Sequence, residues 1–405
     1  MQSSFFDLAP DGGLEMESHP YKLRISRLTV DKLGVKLYDK VSAVVAELIA
    51  NSYDADAEKV TVKLPLASHL TKKNPAGEHI DRGYEIEVID DGHGMTPNEA
   101  IEFYLNVGRN RREHIKQGNL TRNKERPVMG RKGIGKLAPF GICRRIEVLS
   151  AGGEKTSKGY LVTHFIMDYG KIVVDSDEPI ELESGPEDRT FKKQRGTIIK
   201  LSRFKRKRVP SSETFHRQIA TRFAFAQPDF EVWIEDIRTD EKEKVKPVNI
   251  STQPGTRINL ESRPVITEDG EELPVRGWLG LARRSYEHEE LAGVRIYTRE
   301  KIAAMTRDFE QPAGFTGEFT VRSYLVGQVY ANWLDTENGE DLIQSHRQDI
   351  IWDSEYGRAL QAWGRDIIKE IGRLSQEPRR KKSRKSFLAI SNFEERARKR
   401  YSMMK

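Results

Sequence analysis

Three polar residues in an otherwise apolar segment have the types and the spacing to do chemistry. The segment is DKVSAVVAELIANSYDADA at 39–57, and its apolar residues recur at helical spacing, which predicts an amphipathic or buried helix. Glu47, Asn51 and Asp54 fall at positions i, i+4 and i+7, so they lie on one stripe of that helix. Capping explains Asp54 near the helix end. It explains an acid and an amide in mid-helix poorly, because burying them without partners is costly.

A second candidate group follows a β-rich run. In YEIEVIDDGHGMT at 84–96, residues 86–89 predict a strand that delivers Asp90 to its C-terminal end, where Gly92 and Gly94 follow. Glycines at this place allow a tight turn and let a ligand approach the backbone closely. An aspartate held there can accept a hydrogen bond from an amino group of a planar base. A plain strand-to-helix turn would use similar residues.

A third candidate is GRKGIGKL at 130–137, which matches the spacing of a phosphate-binding P-loop up to Lys136. A P-loop continues with a Ser or Thr that binds magnesium, whereas this chain has Leu137. The preceding TRNKERPVM also differs from the apolar strand that normally leads into a P-loop. These residues alone leave open a damaged P-loop, a chance run of glycines and a phosphate loop of another kind.

The rest of the chain must supply the elements that position these groups. A chain of 405 residues is long enough for two or three domains. EKVTVKLP at 58–65 alternates like a strand. From 212 to 375 the pattern predicts a helix, several strands and a long last helix: SSETFHRQIATRFAF, FEVWIED, RGWLGLA, GVRIYT and SEYGRALQAWGRDIIKEI. We expect a flexible lead-in at 1–22, a first domain at 23–205 with a lid at about 106–136, a second domain at 206–375 and a basic tail or helix at 376–405.

Composition limits the class of protein. No apolar run approaches the twenty or so residues of a membrane span, and the N-terminus lacks the pattern of a secretory signal. The single Cys143 excludes an internal disulfide and a cysteine-rich metal site. The net charge of +6 is concentrated in FKRKR at 204–208, EPRRKKSRK at 377–385 and the final EERARKR, which can bind nucleic-acid phosphates or can be solvated linkers and tails. We expect a cytoplasmic protein without membrane contact.

Taken in order, ELIANSYDADA, DDGHGMT, GRKGIGKLA and RGTIIKL resemble the four nucleotide-binding motifs of the GHKL ATPases. This superfamily contains gyrase B, the ninety-kilodalton heat-shock chaperones, histidine kinases and MutL. The resemblance covers about residues 35–202, and the first motif is closest to MutL and the chaperones. It implies an α+β fold: a GHKL (Bergerat) α/β sandwich with a mixed sheet backed by helices, followed by a second, transducer-like mixed α/β domain.

The resemblance also implies a role for each matching position, with ATP and Mg²⁺ as ligands. Glu47 would orient or deprotonate the attacking water, Asn51 would bind Mg²⁺, and Asp90 would bind the adenine amino group. Because Asn51 would bind the metal, Leu137 is no defect, and GRKGIGKL would be a phosphate loop of another kind. The other implied nucleotide-binding residues are Asp54, Gly92, Gly94, Met95, Gly130, Lys132, Gly133, Ile134, Gly135, Lys136 and Thr197.

One segment departs from the family pattern. Related families often carry Gly-x-Ser-x-Lys before the lid, and this chain has GRNRR at 108–112. Arg112 would stand where the lysine usually is, and its guanidinium can also clamp a phosphate. Ordinary surface charge is the other interpretation of Arg112.

The residue at position 47 distinguishes two reactions within the superfamily. Histidine kinases typically have an asparagine there, because they need no base to activate water. A carboxylate within reach of water is the general-base arrangement of a hydrolase. Glu47 therefore predicts an ATPase, and ATPases of this type are expected to be slow.

The second domain is expected to contribute a basic residue to the γ-phosphate. Residues 323–353 loosely resemble the chaperone segment that ends in a catalytic Ser-Arg-Glu, which favours Arg347 as this residue. Lys301, in the hairpin-like GVRIYTREKIA, is the alternative. Arg347 could also be an ordinary salt-bridging residue.

Slow ATPases of this type usually act as switches on macromolecules. We expect a homodimer that forms on ATP binding and acts on duplex DNA or another nucleic acid, as in the MORC-like and MutL-like branches, including host defence. A chaperone-like protein clamp is the second hypothesis. A signalling scaffold whose effector protein is another chain is the third.

Overall fold

The structure, a computed structural model, describes residues 38–108, 112, 118–131, 133–225, 228–286, 289–335, 341–344 and 349–377. Lys132, Arg347, the predicted lead-in at 1–22 and residues 378–405 of the predicted tail lie outside these ranges. Across the described ranges, every helix is too short or too polar to cross a bilayer.

One large mixed sheet organises the first part of the chain. The strands of this sheet are β1 (Lys59–Leu64), β4 (Ile86–Asp90), β5 (Cys143–Thr156), β6 (Gly159–Asp168), β7 (Glu183–Ser184), β8 (Phe191–Lys192), β9 (Gly196–Phe204), β10 (Glu231–Asp236) and β11 (Lys242–Lys244). Strands β2 (Thr71–Lys73) and β3 (His79–Asp81) form a separate hairpin. The order is β11-β10-β1-β4-β9-β5-β6-β7, with β8 paired to β6. Strands β1 and β10 are parallel, and the other pairs are antiparallel. Strand β4 thus runs beside β9.

The predicted first helix is α1 (Val41–Asp54), and it lies almost entirely in the core. A helix that is apolar on most sides is stable only when buried. It contacts β1 and β4, the 3₁₀ helix Gly135–Gly141 that continues the glycine loop, and α4. The other helices of this part are α2 (Pro97–Glu99), which leads into the π-helical turn Ala100–Tyr104, α3 (Tyr169–Ile172) and α4 (Ser212–Ala220).

The first domain extends beyond the boundary at 205 that the sequence predicted. Strand β10 pairs in parallel with β1, and β11 pairs with β10. Phe215, Phe230 and Val245 belong to the same core cluster as α1. FEVWIED therefore completes the first sheet, because its buried Val232 and Ile234 cover the same core.

The second domain has its own sheet and its own core. Its strands are β12 (Ile258–Asn259), β13 (Val265–Ile266), β14 (Glu272–Leu273), β15 (Arg276–Leu281), β16 (Gly293–Thr298), β17 (Lys301–Thr306) and β18 (Leu325–Tyr330). The sheet order is β12-β15-β18-β16-β17, and β13–β14 is a separate hairpin. Helix α5 (Glu318–Tyr324), the 3₁₀ turns Glu289–Leu291 and Asn332–Asp335, and a long helix α6 at 355–377 complete it. The mixed α/β character predicted for this half is confirmed.

The turn between β16 and β17 touches the first domain. Arg299 and Glu300 at its tip both have positive φ, 45° and 66°, the combination of a tight turn that matches the twist of the two strands. The chain after α4 pairs with this turn: Ala224 N–H donates to the Glu300 carbonyl at 2.9 Å, and Ile302 N–H donates to the Arg222 carbonyl at 2.9 Å. The first domain thereby fixes the position of Lys301.

Candidate functional site

A cavity of about 290 Å³ lies between the two domains. It brings together most of the residues predicted from the sequence: Glu47, Asn51, Asp54, Asp90, Gly94, Met95, Gly130, Gly133, Ile134, Gly135, Lys136 and Thr197. The second domain contributes Lys301, Asp335, Asp341, Ile343 and Gln344 to the lining. Gly92 and Arg112 are not part of the lining, and Lys132 lies outside the described residues.

Asp90 forms one end of the cavity, where β4 ends beside β9. Its Oδ1 accepts hydrogen bonds from the N–H groups of Gly92 at 3.0 Å and Thr197 at 3.2 Å. Its Oδ2 accepts from the Ser52 hydroxyl at 2.9 Å. Burial raises the pKa of Asp90 to about 6, even though these three hydrogen bonds act in the opposite direction. The result is a fixed carboxylate facing a cavity, suited to an amino group of a base.

Lowering the pH through 6 is expected to weaken ATP binding through this carboxylate. The pKa of Asp90 is higher in the folded protein than in the unfolded chain, so protonation of Asp90 stabilises the folded protein without ligand. Protonation also removes the negative charge that would accept a hydrogen bond from the adenine amino group. The affinity contributed by Asp90 should fall up to about tenfold for each pH unit below 6. Isothermal titration between pH 5 and 8 measures this loss. The Asp90→Asn variant should keep only the pH dependence of the phosphates, and an identical profile in both proteins would disprove the assignment.

Two glycines shape the same end of the cavity. Gly94 has φ 65°, and a Cβ there would lie 1.9 Å from the Ala151 carbonyl oxygen. A Cβ on Gly92 would lie 2.6 Å from the Ala55 carbonyl oxygen. Gly94 therefore lies in the cavity lining, whereas Gly92 lies outside it and donates its N–H to Asp90. The Met95 N–H donates to the Ser150 hydroxyl at 2.9 Å, and Ser150 is also 2.9 Å from the Thr197 hydroxyl.

Glu47 and Asn51 form the other end of the cavity, where α1 faces the second domain. Glu47 is 9% exposed, and its Oε1 accepts a hydrogen bond from Lys301 Nζ at 2.8 Å. Arg222 is a second cation near this carboxylate: burial lowers the pKa of Arg222, and the charge of Glu47 acts against that shift. Within the described residues, the Asn51 side chain makes no hydrogen bond, so its amide oxygen is available to a ligand.

Replacing Gly135 by Ala is expected to displace Glu47. A Cβ on Gly135 would lie 2.9 Å from Glu47 Oε2, and φ of this residue is not positive, so the substitution acts by contact with the carboxylate. We expect kcat for ATP hydrolysis to fall about tenfold or more with little change in thermal stability, since a small misplacement of a reacting group is costly. Steady-state kinetics and thermal unfolding measure the two effects. Gly170→Ala controls for the substitution, because Gly170 is an exposed residue of α3 without a positive φ, where a Cβ would approach Asp168 Oδ1 no closer than 3.3 Å. An unchanged kcat in Gly135→Ala would contradict the contact with Glu47.

The start of the glycine loop is held by Asp54. Its two carboxylate oxygens accept the N–H groups of Met129 at 2.7 Å and Gly130 at 2.9 Å. A Cβ on Gly130 would lie 2.9 Å from Asp54 Oδ2. Asp54 therefore holds the loop through both oxygens and also lines the cavity, and its role in nucleotide binding stays a prediction.

Arg112 also differs from its predicted role. It is buried, and its guanidinium donates to both carboxylate oxygens of Asp335 at 2.6 and 3.0 Å. It donates as well to the carbonyl oxygens of Val128 and Gly130 at 3.1 and 3.2 Å. Arg112 is not part of the cavity lining, and in this structure it ties the lid to the second domain.

Lys136 lines the cavity but its ammonium is tied to the first part of the lid. Its Nζ donates to the carbonyl oxygens of Phe103 at 3.0 Å and Asn106 at 3.1 Å and lies 5.5 Å from the centre of the Tyr104 ring. Burial lowers the pKa of Lys136 to about 8. This lysine therefore joins the two ends of the lid.

Sequence reasoning did not identify Ser52, Ser150 or Asp335. Ser52 follows Asn51 on α1, and a hydroxyl one position from a predicted ligand was a usable local signal. Ser150 and Asp335 have no such signal, because β5 and the second domain bring them to the cavity from distant parts of the chain.

Comparison with known proteins agrees with this geometry. Residues 38–197 match the model of the family described as histidine kinase-, DNA gyrase B- and HSP90-like ATPases. This part of the chain is therefore a GHKL ATPase domain, as the four motifs predicted.

A relative matches more of the chain than that domain. A protein of Herpetosiphon aurantiacus, provisionally named type II restriction enzyme HgiDII, is 26% identical over 372 residues. The matched region is 88% of this chain and 56% of that protein, so the chain spans little more than half the length of this relative. The similarity therefore includes the second domain.

Proposed function

We propose that this protein is an ATP-hydrolysing switch that closes and dimerises on Mg-ATP and acts on duplex DNA. The observation that carries the proposal is the 2.8 Å contact of Lys301, from the second domain, with Glu47 on α1 inside the cavity. This contact places a candidate general base and a candidate phosphate-binding cation from different domains at one point.

The residues present fit a nucleotide with Mg²⁺. Asp90 and Thr197 would hold the adenine, and the loop at 130–136 would surround the phosphates. Asn51 would bind Mg²⁺, which normally takes only one or two protein ligands together with substrate phosphates. When bound, Mg²⁺ supplies positive charge that neutralises the β- and γ-phosphates.

Glu47 would accept a proton from the water that attacks the γ-phosphate. A buried carboxylate within hydrogen-bond reach of that water is the geometry that general-base catalysis needs. Before ATP binds, Lys301 neutralises Glu47. The γ-phosphate offers Lys301 a second partner, so the same ammonium can stabilise the charge that develops in the transition state.

The same contact converts nucleotide state into domain position. Lys301 lies on a turn of the second domain, and Asp335 and Asp341 line the cavity beside it. A γ-phosphate that contacts the Lys301 ammonium in one arrangement only shifts the protein toward that arrangement. Hydrolysis then removes the interaction and resets the switch.

Duplex DNA is the partner best supported by the remaining observations. The relative named a restriction enzyme is similar along 88% of this chain, and the net charge of +6 favours binding to phosphates.

Two measurements test this proposal. We expect purified protein to release phosphate from Mg-ATP, faster with duplex DNA than without it. Sedimentation with a non-hydrolysable ATP analogue should show a dimer where the nucleotide-free protein sediments as a monomer. Monomers at saturating analogue would refute dimerisation, and a rate independent of DNA, with no DNA binding, would refute the choice of partner.

A further inference from the structure

A cluster of positive charge lies at the end of the first sheet opposite the cavity. It combines the β2–β3 hairpin with the run at 205–208, and we call it the hairpin patch; its cations are Lys72, Lys73, Arg82, Arg206, Lys207 and Arg208. All are exposed except Lys207, which is half-buried. Strand β9 connects the two places: Thr197 near its start lines the cavity, and its last residue, Phe204, lies roughly 23 Å further along at about 3.3 Å per residue and leads into the run at 205–208.

The backbone holds the two segments side by side. The Leu70 N–H donates to the Lys207 carbonyl at 2.9 Å, and the Val209 N–H donates to the Ser68 carbonyl at 2.8 Å. His69 and Arg208 form an antiparallel bridge. The patch is therefore one surface of fixed geometry.

None of these six cations forms an ion pair within the described residues. The two carboxylates in or beside the hairpin form hydrogen bonds with neutral groups instead. Glu78 accepts a hydrogen bond from the Asn74 amide at 2.9 Å, and Asp81 accepts the N–H groups of Gly83 and Phe204, each at 3.0 Å. Both carboxylates keep their negative charge because these partners are neutral, so six cations less two anions leave the patch with a net charge of +4.

The charges also converge at one point. Desolvation and the positive charges of Arg206, Lys73 and His69 hold the pKa of His79 below its usual value. Lys73 belongs to the hairpin and Arg206 to the run at 205–208, so cations of both segments act on His79, as needed to bind an anion with several charges.

We propose that the hairpin patch binds the phosphate backbone of duplex DNA. This inference rests on the proposed function, in which DNA is the partner, and it names the surface. Residues 68–82 and 203–208 expose no Phe, Tyr or Trp side chain on which an unpaired base could stack, and stacking platforms are typical of single-strand binders. Cations without such platforms read phosphates and not bases.

Lys205 fixes the patch to the ATPase core. Its Nζ donates to the Phe140 carbonyl at 2.6 Å and lies 4.2 Å from the centre of the Tyr169 ring, and its N–H donates to the Ile142 carbonyl at 2.8 Å. The neighbouring cations are therefore preorganised, and less side-chain and backbone ordering opposes DNA binding.

The test compares two triple variants of the full chain in fluorescence anisotropy with a short labelled duplex at several salt concentrations. The patch variant is Lys72→Gln, Lys73→Gln and Arg206→Gln. The control variant is Lys155→Gln, Lys158→Gln and Lys193→Gln, which removes three exposed lysines elsewhere on the domain. We expect the patch variant to lose at least about tenfold in affinity near 0.1 M salt and to lower the log–log salt slope by about 3, while the control stays close to the parent.

The outcomes separate the two proposals. If the parent chain does not bind duplex DNA, the proposed partner is wrong and this inference falls with it. If the parent binds but the patch variant matches the control, DNA binds elsewhere and only this inference is overturned. Loss of heparin binding with unchanged DNA binding would also overturn it. Unchanged basal ATP hydrolysis shows that the patch variant is folded, and Lys73→Gln with Arg208→Gln serves as a second variant.

Discussion

Replacing Glu47 by Gln is expected to lower kcat for ATP hydrolysis by about 10²- to 10⁴-fold, the usual contribution of a positioned general base. In the parent, Lys301 Nζ lies 2.8 Å from Glu47 Oε1. The Gln amide keeps the shape of the side chain and an oxygen for this contact, but it cannot accept a proton from water. Affinity for ATP should change little. Single-turnover phosphate release and a fluorescent-nucleotide titration measure the two quantities on the same sample.

The matched control for this variant is Glu99→Gln. Glu99 also lines the cavity, but its Oε1 pairs with Arg122 at 2.8 Å and its Oε2 caps a helical turn through the Thr96 N–H. Lys301 pairs with Glu47 and not with Glu99, so the replacement of Glu99 should leave kcat within a few-fold of the parental value. Equal hydrolysis by Glu47→Gln and the parent would show that the base is another group or that the activity is a contaminant.

Replacing Asp335 by Ala should release the lid from the second domain. The side chains of Arg112 and Asp335 are only 2% and 1% exposed, and two hydrogen bonds join them. Removing one partner of a buried ion pair leaves an unpaired buried charge, which typically costs about 3–5 kcal/mol. Arg131 also loses its ion pair with Asp335, in which Arg131 Nη1 lies 3.6 Å from Asp335 Oδ1. We therefore expect a lower melting temperature and faster proteolysis of the lid.

A double variant separates loss of the charge pair from loss of packing. Arg112→Met combined with Asp335→Leu removes both charges and keeps apolar volume, which is often neutral or stabilising at buried pairs. It should recover most of the stability lost in Asp335→Ala. Parental melting temperature and parental lid protection in Asp335→Ala would contradict the buried pair.

The cavity was predictable from the sequence where its residues carry local patterns. Glu47 and Asn51 stand out because they are polar positions on an apolar helix, and Asp90 with Gly94 stands out because glycines follow a strand. Four such patterns in the family order were sufficient to predict an ATPase domain, and the family match at 38–197 confirms it.

Long-range pairing accounts for what the sequence did not predict. The boundary at 205 was too early because β10 pairs with β1 across more than 160 residues of chain. Arg112 was assigned to phosphate because its buried partner, Asp335, is 223 positions away. Lys301, the less favoured of two cations, lies at Glu47 because a turn of the second domain pairs with the segment after α4. The prediction for Arg347 stays open, because that residue lies outside the described ranges.

The most direct test of the central claim, a catalytic site shared by the two domains, is phosphate release by Lys301→Ala at saturating Mg-ATP. A preorganised charge on a transferring phosphoryl group contributes about 10²- to 10³-fold, so the account predicts a loss of that size with ATP still bound. Lys369→Ala should hydrolyse ATP at the parental rate, because Lys369 is a half-buried lysine of α6 that pairs with Asp366 of the same helix. Parental turnover in Lys301→Ala would contradict the account, because the first domain alone would then be sufficient for hydrolysis.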